Sequence, residues 1–403
     1  MKKLYVAIMG LGTVGKGTYD SIITAHDKIA EREGLDVEVK RVLDIDVRRF
    51  ATLPAGVGTT SVDDVMSDED VSVVVETMGG VEPAKTFILR AFENGKSVVS
   101  ANKELIAKHW EELQDAAEKN NVGFYFEASC VGAVPVIRVL NESVNSDNVL
   151  AVYGIINGTT NYILTKMANE GMEYGDALRQ AQQLGYAEAK PEADVEGYDA
   201  GYKLSILSTM AYGKRVSFQK ESCHGITAVS KADMEYAKGA GYTIKLIAES
   251  RAECGEVNYV VHPVCVKNTH MLSKISGAMN ALYLSCENAG DMMLYGFGAG
   301  SRQTGSAILS DIVYCGKRTT HLYYNLKEKA RASKDVFKCS RFVVLENYDA
   351  VEAERVLDGL VFEKATVGEK VVVITHPILD SQWESAVGGM KIMKIACQYK
   401  ALI

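Results

Sequence analysis

Residues 3–15 read KLYVAIMGLGTVG, and this stretch decides the fold of the first part of the chain. Its first seven residues form an apolar run that predicts a β-strand, and a helical pattern follows the glycine loop to about Glu31. Gly10 permits the tight turn, Gly12 lets the backbone approach a pyrophosphate, and Gly15 lets the helix pack closely against the strand. The stretch therefore predicts a dinucleotide-binding fold, with a structural glycine turn as the alternative.

The alternation of strands and helices continues to about residue 130. Further strands are predicted at 37–43, 71–76, 97–100 and 123–127. Such alternation implies a parallel sheet with helices on both faces, and ligands bind beyond the carboxyl ends of its strands. The side chains at these strand ends are candidate ligand contacts: Thr77, Gly79, Asn102, Lys103 and Glu127.

The end of the second strand bears on the choice between NAD and NADP. An acid there binds the ribose hydroxyls, whereas a nearby arginine accommodates a 2′-phosphate. The sequence 44–49 reads DIDVRR and offers both residue types. Asp44 comes first, which favours NAD, while Arg48 and Arg49 leave NADP open or are solvated loop charges.

Residues 184–210, LGYAEAKPEADVEGYDAGYKLSILSTM, begin as an acidic loop and continue as an apolar helix. Asp199 and Lys203 are four residues apart, so they share one face of that helix. The same face continues with Leu207 and Met210, while the serines of the helix point elsewhere. This placement predicts that the charged pair lies where water is scarce, which indicates a function.

Two polar loops are further candidates for ligand binding. Residues 157–162, NGTTNY, follow a predicted strand and offer donors and acceptors for a small polar ligand, or else form a hairpin or helix cap. Residues 296–301, GFGAGS, precede a helix predicted from about Thr304. Helix N-termini after glycine loops favour anions, and the alternative is a flexible connector.

The composition narrows the class of protein. A chain of 403 residues is expected to form two or three domains. The net charge of -8 argues against a nucleic-acid partner, and the sequence lacks an apolar run long enough to span a membrane. The eight cysteines show no CxxC spacing, so neither a zinc site nor a disulfide framework is expected. Scattered reduced thiols, with no signal peptide, predict a cytoplasmic protein.

The last part of the chain reads as a separate small domain after a charged linker at 331–338. The predicted elements are a strand at 341–346, a helix at 350–359, strands at 361–366 and 370–376, a helix at 379–388 and a strand at 394–399. This βαββαβ order predicts a ferredoxin-like fold. The expected domains are 1–130 for dinucleotide binding, 131–333 for catalysis and dimerisation, and 334–403 for the small domain.

Several motifs, in order along nearly all 403 residues, resemble the homoserine dehydrogenase family. They are GLGTVG at 10–15, ETMGGVEP at 76–83, SANKEL at 100–105, FEASCVGAVPV at 126–136, NGTTNYIL at 157–164, LGYAEAKPEADVEGYDAGYKL at 184–204 and YGFGAGSRQTGSA at 295–307. The resemblance implies an α/β protein with a Rossmann-type domain, an α+β catalytic domain and an ACT-like C-terminal domain. It implies the reduction of L-aspartate 4-semialdehyde to L-homoserine with a nicotinamide cofactor, on the route to threonine, isoleucine and methionine.

The motifs and the resemblance together assign roles to individual residues. The cofactor contacts are Gly10, Gly12, Thr13, Val14, Gly15, Asp44, Thr77, Gly79, Lys103, Gly298, Gly300 and Thr304. The substrate contacts are Asn157, Thr159, Glu188 and Asp194, whose carboxylates receive the substrate's ammonium group. The catalytic residues are Asp199, Lys203 and Lys103. A protonated Lys203 can donate to the aldehyde oxygen when hydride adds to the carbon, and Lys103 is a second donor or an electrostatic stabiliser.

The resemblance also implies a sodium ion near Glu127. The ligands that it assigns are Glu127, Cys130, Gly132 and Val134. A hard cation takes oxygen ligands, so Cys130 would offer its carbonyl oxygen and not its sulfur.

Two departures from the family pattern affect specificity and regulation. Ile45 stands where the NADP-using members carry an arginine, which leaves the cofactor preference open. The first strand-to-helix turn of the small domain, ENYD at 346–349, lacks the glycine that lets an effector amino acid approach the backbone. Regulation by threonine is therefore open, and the domain could serve oligomerisation alone. The family implies a homodimer, and the extra domain could raise it to a homotetramer.

Two other functions compete with this assignment. A phosphorylating semialdehyde dehydrogenase would need an activated cysteine with a histidine base, and Cys130 has no accompanying histidine motif. A regulatory protein that binds cofactor and amino acid without turnover is the other alternative. The pair Asp199 and Lys203, together with Lys103, argues against it.

Overall fold

The computed structural model describes residues 1–253, 255–318, 328–332, 337–346, 348–357, 359–388 and 394–402. These residues form two compact units. Unit 1 is Met1–Ser146, Ser205–Phe218 and Gly296–Lys329, and unit 2 is Asp147–Leu204, Gln219–Tyr295 and Ala330–Ile403. The division of the chain into three functional domains stays a prediction.

The described elements follow one another in an order that alternates strands and helices in the first part of the chain. The strands are β1 (Lys2–Met9), β2 (Leu35–Leu43), β3 (Gly58–Thr59), β4 (Val71–Glu76), β5 (Ser97–Ser100), β6 (Phe124–Tyr125), β7 (Val149–Ile155), β8 (Tyr242–Glu253), β9 (Glu256–Lys267), β10 (Met279–Cys286), β11 (Gly290–Phe297), β12 (Arg331–Ala332), β13 (Ser340–Glu346), β14 (Val361–Val367), β15 (Lys370–Thr375) and β16 (Lys394–Leu402). The helices are α1 (Thr13–Glu33), α2 (Val62–Met66), α3 (Ala84–Glu93), α4 (Lys103–Lys119), α5 (Val136–Arg138), α6 (Gly158–Glu170), α7 (Tyr174–Gln183), α8 (Glu192–Val195), α9 (Tyr198–Tyr212), α10 (Lys231–Gly239), α11 (Ser301–Lys317), α12 (Ala350–Val356) and α13 (Asp380–Gly388). Short 3-10 turns lie at Val47–Thr52, Glu127–Ser129, Lys220–Ser222 and Met271–Lys274, and a π-turn lies at Val139–Ser143.

Unit 1 contains the parallel sheet that the sequence predicts. Its described strands pair in the order β3-β2-β1-β4-β5-β6, and every pairing is parallel. This is the order of dinucleotide-binding folds, whose ligands bind where the order reverses, beside β1 and β4. Residues 6–9 of β1 are completely buried, because helices cover both faces of such a sheet. The sheet therefore places the ends of β1, β2, β4 and β5 along one edge.

Unit 2 is built on one long sheet. Its strands pair in the order β11-β10-β7-β8-β9-β16-β13-β15-β14, and β12 pairs with β9. Strands β8 and β9 form an antiparallel hairpin, in which Tyr242 pairs with Lys267 and Glu253 with Glu256. Helix α6 packs against β8 and β10, and it begins three residues after the end of β7.

The predicted βαββαβ order of the last part of the chain is confirmed by β13, α12, β14, β15, α13 and β16. The four strands pair in the order β16-β13-β15-β14, which is the ferredoxin-like arrangement. Strand β16 also pairs in parallel with β9, where Lys400 lies opposite Val264 and Leu402 opposite Val266. The strands of the predicted small domain, which we call the C-terminal or ACT-like module, therefore extend the sheet of unit 2.

The predicted linker at 331–338 is wrong at its start. Arg331 and Ala332 form β12, which pairs in parallel with Glu256 and Val257 of β9. A partner strand distant in sequence decides this pairing, so the local charge pattern does not reveal it. Residues 333–336 of this segment, and Asn347 of the turn after β13, lie outside the described residues.

The prediction that the serines of α9 point away from its buried side is also wrong. Ser205 and Ser208 are completely buried, whereas Met210 is half-buried. Hydrogen bonding explains the difference, because Ser205 Oγ donates to the carbonyl of Val216 at 2.6 Å and accepts from Arg215 Nη1 at 3.2 Å. Helix α9 is thus buried on all sides along 203–209.

Within the described residues, no helix combines the length and the apolar character that crossing a bilayer requires.

Candidate functional site

The glycine loop at 10–15 connects β1 to α1 and leaves open space beside its middle glycine. Gly10 has φ +95°, and a Cβ there would lie 2.8 Å from the carbonyl oxygen of Thr77. At Gly15 a Cβ would collide with the carbonyl oxygen of Gly10. These two glycines serve the turn itself. At Gly12, in contrast, the nearest atom to an added Cβ is Arg49 Nη1, at 3.9 Å.

Gly12 is also the N-cap of α1, and it has no side chain to satisfy the first N–H groups of the helix. Unpaired N–H groups and the positive end of the helix dipole attract phosphate. The loop therefore offers the space and the donors that the pyrophosphate of a dinucleotide requires.

Asp44, at the end of β2, is buried and already hydrogen-bonded. Its Oδ2 accepts from the N–H of Leu11 at 2.6 Å and from Arg49 Nη1 at 2.9 Å, and its Oδ1 accepts from the N–H of Asp46 at 2.9 Å. Burial alone would raise the pKa of this carboxyl, but these donors outweigh burial and hold its pKa below the ordinary value. The carboxylate is ionised at neutral pH. Arg48 instead pairs with Asp46, through Nε at 2.7 Å and Nη2 at 2.8 Å.

The turns after β4 and β5 lie at the same edge of the sheet. Thr77 Oγ1 donates to the carbonyl of Gly10 at 2.7 Å, which ties the turn after β4 to the glycine loop. Asn102 caps α4 by accepting from the N–H of Leu105 at 3.2 Å, and its Nδ2 donates to the carbonyl of Gly80 at 2.6 Å. Lys103 is the first residue of α4 and is half-buried. Unit 1 therefore brings Thr77 to the glycine loop, and the bond from Asn102 to Gly80 ties the start of α4, where Lys103 lies, to the turn after β4.

The second glycine loop leads into α11, also within unit 1. Gly298 and Gly300 precede this helix, and Thr304 is buried in its first turn, where its N–H donates to the carbonyl of Gly300 at 3.0 Å. The N–H of Ala133 donates to the carbonyl of Phe297 at 3.3 Å. The loop that follows Glu127 therefore lies against this second glycine loop.

Glu127 points its carboxylate away from that loop and toward α5. Its two oxygens accept from the N–H groups of Ile137 and Arg138, each at 2.8 Å. Burial, together with the nearby charge of Asp311, raises the pKa of Glu127 to about 7. Burial raises the pKa of Asp311 to about 6. Both carboxylate oxygens of Glu127 therefore accept backbone N–H groups.

Asn157 is the centre of the polar network in unit 2. Its Oδ1 caps α6 by accepting from the N–H of Thr160 at 2.9 Å. Its Nδ2 donates to Asp194 Oδ1 at 2.7 Å and to Asp199 Oδ2 at 2.9 Å. One amide thus orients two carboxylates that are predicted to have different roles.

Lys203 completes this network. Its Nζ donates to Asp199 Oδ2 at 2.6 Å and to the carbonyl of Ile156, at the end of β7, at 2.9 Å. Asp199 is 6% exposed and Lys203 is 9% exposed. The pair is therefore a buried ion pair, as predicted, and it differs from a solvated pair on a helix surface.

The remaining two predicted substrate contacts lie at the edge of this network. Thr159 Oγ1 donates to the carbonyl of Tyr186 at 2.6 Å, which ties the first turn of α6 to the acidic loop. Glu188 is exposed, and its carbonyl accepts from Gln182 Nε2 at 3.1 Å. The structure thus brings Asn157, Asp194, Asp199 and Lys203 together and leaves Glu188 at the surface of the loop.

Sequence reasoning missed Glu76, a completely buried acid at the end of β4. The signal in the sequence is an acid that closes a strand otherwise made of valines and one serine, directly before Thr77. An acid that closes such an apolar strand is expected to be buried and to serve a specific role there.

The chain matches two family models in succession. The model "Homoserine dehydrogenase, NAD binding domain" matches residues 10–127. The model "Homoserine dehydrogenase" matches residues 135–313. The two models cover the glycine loop, the polar network of unit 2 and the second glycine loop.

Curated proteins and solved structures give the same result. The homoserine dehydrogenase of Bacillus subtilis is 41% identical over 78% of this chain and 73% of its own length. That of Corynebacterium glutamicum is 36% identical over 99% of this chain and 94% of its own. The crystal structure of a homoserine dehydrogenase from Thiobacillus denitrificans superimposes with a TM-score of 0.90 at 31% identity, over 100% of this chain and 99% of that one. A hyperthermophilic archaeal homoserine dehydrogenase, solved in complex with NADPH, gives 0.64 at 27% identity over 78% and 97%. The chain therefore belongs to the homoserine dehydrogenase family of NAD(P)-dependent oxidoreductases.

Proposed function

We propose that Lys203 is the proton donor when this chain converts L-aspartate 4-semialdehyde and L-homoserine into one another. A bound nicotinamide cofactor supplies the hydride to the aldehyde carbon, or accepts it in the reverse direction. As the C–H bond forms, negative charge develops on the aldehyde oxygen, and the Lys203 ammonium transfers a proton to that oxygen. In the reverse direction the neutral amine of Lys203 takes the proton back.

The observation that carries this proposal is the buried pair in unit 2. Asp199 and the carbonyl of Ile156 fix Lys203 Nζ from two directions, at 2.6 and 2.9 Å. A general acid must be held in a defined position beside the atom that it protonates, and the two hydrogen bonds of the buried amine support this role because they fix Nζ. An ordinary exposed pair would contribute about 0.2–0.5 kcal/mol and would fix little.

The remaining predicted residues of unit 2 are assigned to the substrate. Asp194 and Glu188 receive the substrate's ammonium group, and Asn157 and Thr159 line the same site. The bonds of Asn157 support this assignment, because its amide donates both to Asp194, which is assigned to the substrate, and to Asp199 of the catalytic pair. In unit 1, Lys103 acts as a second cation that stabilises the developing charge.

The cofactor is held by unit 1, with the pyrophosphate at 10–15 and further contacts from Thr77, Gly79, Gly298, Gly300 and Thr304. Asp44 binds the ribose hydroxyls of NAD, and Arg49 admits the 2′-phosphate of NADP. The open space at Gly12 supports the place of the pyrophosphate, and the position of Arg49 beside that space supports its contact with a 2′-phosphate. The archaeal relative solved with NADPH supports the use of NADP within the family.

A sodium ion completes the site, with oxygens from Glu127, Cys130, Gly132 and Val134 as its ligands. Backbone carbonyls are the hard donors that such a cation takes. The bond from the N–H of Ala133 to the carbonyl of Phe297, which brings the loop after Glu127 to the second glycine loop, supports this placement. Such an ion would hold this loop against the second glycine loop. Replacing sodium by choline in the assay is expected to weaken cofactor binding, and unchanged binding would contradict the proposal.

The protein acts in the cytoplasm as a homodimer, or as a homotetramer if the ACT-like module adds an interface. The pairing of β16 with β9, which makes the ACT-like module part of the sheet of unit 2, supports a role for the module in this arrangement. Light scattering measures the mass directly. A monomer at assay concentrations would contradict this part of the proposal.

The central test replaces Lys203 by alanine and follows the absorbance of the reduced nicotinamide with homoserine and either NAD or NADP. Loss of the proton donor is expected to lower kcat by about 10²- to 10⁴-fold while cofactor affinity stays unchanged. Lys166→Ala is the control, since Lys166 pairs with Glu170 on the surface of α6. Unchanged turnover would move the role to Lys103 or to water. A wild-type protein that is inactive with both cofactors would favour the regulatory alternative.

A further inference from the structure

Glu76 is a buried carboxyl group that the reaction itself does not use. It closes β4 and is 0% exposed. Its Oε1 accepts from the N–H of Met78 at 2.9 Å, and its Oε2 accepts from Ser100 Oγ at 2.6 Å. The first bond holds the turn after β4, and the second reaches the end of β5. One side chain therefore spans two neighbouring strand ends.

These bonds form part of a closed ring. Ser100 Oγ accepts from the N–H of Asn102 at 3.1 Å, and Asn102 Nδ2 donates to the carbonyl of Gly80 at 2.6 Å. The ring therefore runs from Glu76 through the turn 77–80 to Asn102 and returns through Ser100. Because Asn102 also caps α4, the ring fixes the start of the helix whose first residue is Lys103.

A purely structural role does not explain an acid at this place. Burial raises the pKa of the Glu76 carboxyl above its ordinary value, although bonds from Ser100 and the N–H of Met78 oppose this effect. Burying such a group costs stability, and apolar residues of similar volume often serve a fold equally well. The strand around it is rich in valine, so an apolar residue would suit β4. Unlike an apolar side chain, the carboxyl group bonds both the turn after β4 and the end of β5, and it thereby fixes their geometry.

We propose that Glu76 is a positioning residue for the nicotinamide cofactor. Its carboxyl holds the turn that carries Thr77 and Gly79 and the helix start that carries Lys103 in the arrangement that binds the cofactor. Glu76 does not contact the cofactor itself. This inference rests on the proposed cofactor site in unit 1.

The test uses Glu76→Gln and Ser100→Ala in the full chain. Glutamine keeps the size of the side chain, but its one carbonyl oxygen cannot replace both carboxylate oxygens, which accept from Met78 and from Ser100. Ser100→Ala removes one bond of the same ring from the other strand and covers the case in which Glu76→Gln does not fold. Each variant is expected to raise the Kd of NADH or NADPH about tenfold, which equals about 1.4 kcal/mol. Fluorescence titration of the reduced cofactor measures the Kd.

The double variant separates positioning from independent damage. If both side chains act through one ring, Glu76→Gln combined with Ser100→Ala raises the Kd by much less than the product of the single effects. The KM of homoserine is expected to stay unchanged, because the substrate contacts belong to unit 2. Multiplying effects, or an equal rise in the KM of homoserine, would contradict the inference.

Ser97→Ala is the matched control on the same strand. Ser97 is buried at the other end of β5, where its Oγ accepts from the N–H of Gly123 at 3.0 Å. Its loss is expected to lower the Tm and leave the Kd of the cofactor unchanged. An unchanged Kd in Glu76→Gln and Ser100→Ala, or an equal rise in Ser97→Ala, overturns the inference.

Gly12→Val distinguishes a failure of this inference from a failure of the cofactor site. Gly12 has φ -71°, and an added side chain there meets open space, so valine fits the protein but occupies the proposed place of the pyrophosphate. If Gly12→Val abolishes cofactor binding and Glu76→Gln does not affect it, only the inference about Glu76 fails. If Gly12→Val binds the cofactor normally, the proposed site itself is wrong.

Discussion

At the scale of single residues, Asp44 and Arg49 form a pair whose two members are held differently. Asp44 is 7% exposed and is fixed by the backbone N–H groups of Leu11 and Asp46. The side chain of Arg49 is 46% exposed and contacts Asp44 at 2.9 Å. The backbone thus holds the carboxylate of Asp44 independently of Arg49. The acid is therefore a fixed, buried acceptor, and the arginine is an exposed donor.

This difference predicts the effect of Arg49→Gln on cofactor choice. A 2′-phosphate beside Asp44 needs the guanidinium, and the loss of a hydrogen bond to a charged group costs about 1.5–3 kcal/mol. The variant is therefore expected to lower kcat/KM for NADPH by about tenfold or more and to leave kcat/KM for NADH unchanged.

Arg48→Gln is the control for that measurement, since Arg48 is 88% exposed and pairs with Asp46. It is expected to leave both cofactors unaffected. Equal losses for NADH and NADPH in Arg49→Gln would mean that Arg49 supports the loop and does not recognise the phosphate.

The roles of single residues were predictable where a local pattern carries them. Asp199 and Lys203 were found from their spacing of four, because helix geometry alone brings them to one face. The bridge that Asn157 makes to Asp194 and Asp199 was not, because it joins residues 37 and 42 positions apart. Glu76 escaped for a related reason. Its partner Ser100 lies on another strand, and only the order of the sheet shows that the two are neighbours.

At the scale of elements, the start of α6 is both a helix end and part of the site. Asn157 caps the helix through Oδ1 and orients two carboxylates through Nδ2. A residue with only one hydroxyl could cap the helix equally well, since serine and asparagine are both strong N-caps. The amide donors are therefore the part of Asn157 that the helix does not need.

Asn157→Ser is expected to separate the two roles. The hydroxyl keeps the acceptor for the N–H of Thr160, so the Tm should change little. Asp194 and Asp199 lose their shared donor, and kcat/KM for homoserine should fall by about tenfold or more, because a bond to a charged group is lost. Thermal unfolding and steady-state kinetics on the same preparation measure both. A large fall in Tm with unchanged kcat/KM would assign Asn157 to the helix alone.

The elements themselves were predicted well where hydrophobic runs and glycine turns mark them. The strands at 71–76 and 97–100 and the elements of the C-terminal module lie close to their predicted places. The burial of Ser205 was not predicted, because its partners, Arg215 and the carbonyl of Val216, follow the helix and do not belong to it. A serine-rich helix face is predicted to face solvent unless the hydrogen-bond partners of its serines are known. The same limit applies to β12, whose partner β9 lies far away in sequence.

At the scale of the whole molecule, one buried lysine makes stability depend on pH. Lys245 on β8 is 2% exposed, and its Nζ donates to Asn161 Oδ1 at 3.1 Å and to the carbonyl of Ile275. Burial lowers the pKa of Lys245 to about 8. Between about pH 8 and pH 10.5 the unfolded chain therefore binds more protons at this site than the folded chain does. The contribution of Lys245 to the free energy of unfolding therefore rises with pH across that window. Below about pH 8 the lysine is charged in the folded chain, and the full cost of burying that charge remains.

Lys245→Met is expected to remove this dependence. Measured by urea unfolding, the free energy of unfolding of the wild type relative to the variant should rise by up to roughly 3 kcal/mol from pH 8 to pH 10.5. Lys274→Met, at an exposed position, controls for the general titration of lysines. A constant difference between wild type and Lys245→Met across this window would show that Lys245 titrates normally.

The pairing of β16 with β9 has a consequence for how the polypeptide is made. The ribosome finishes β9 at Lys267 and reaches Lys394, the start of β16, only 127 residues later (394 − 267). At about 5–20 residues per second, this interval is roughly 6–25 s. Through that time the edge of β9 at 264–266 has no β16 to pair with, and an unpaired edge is a template for neighbouring nascent chains. Newly made chains therefore pass through a stage that is prone to association, and a message that stops before β16 leaves them there.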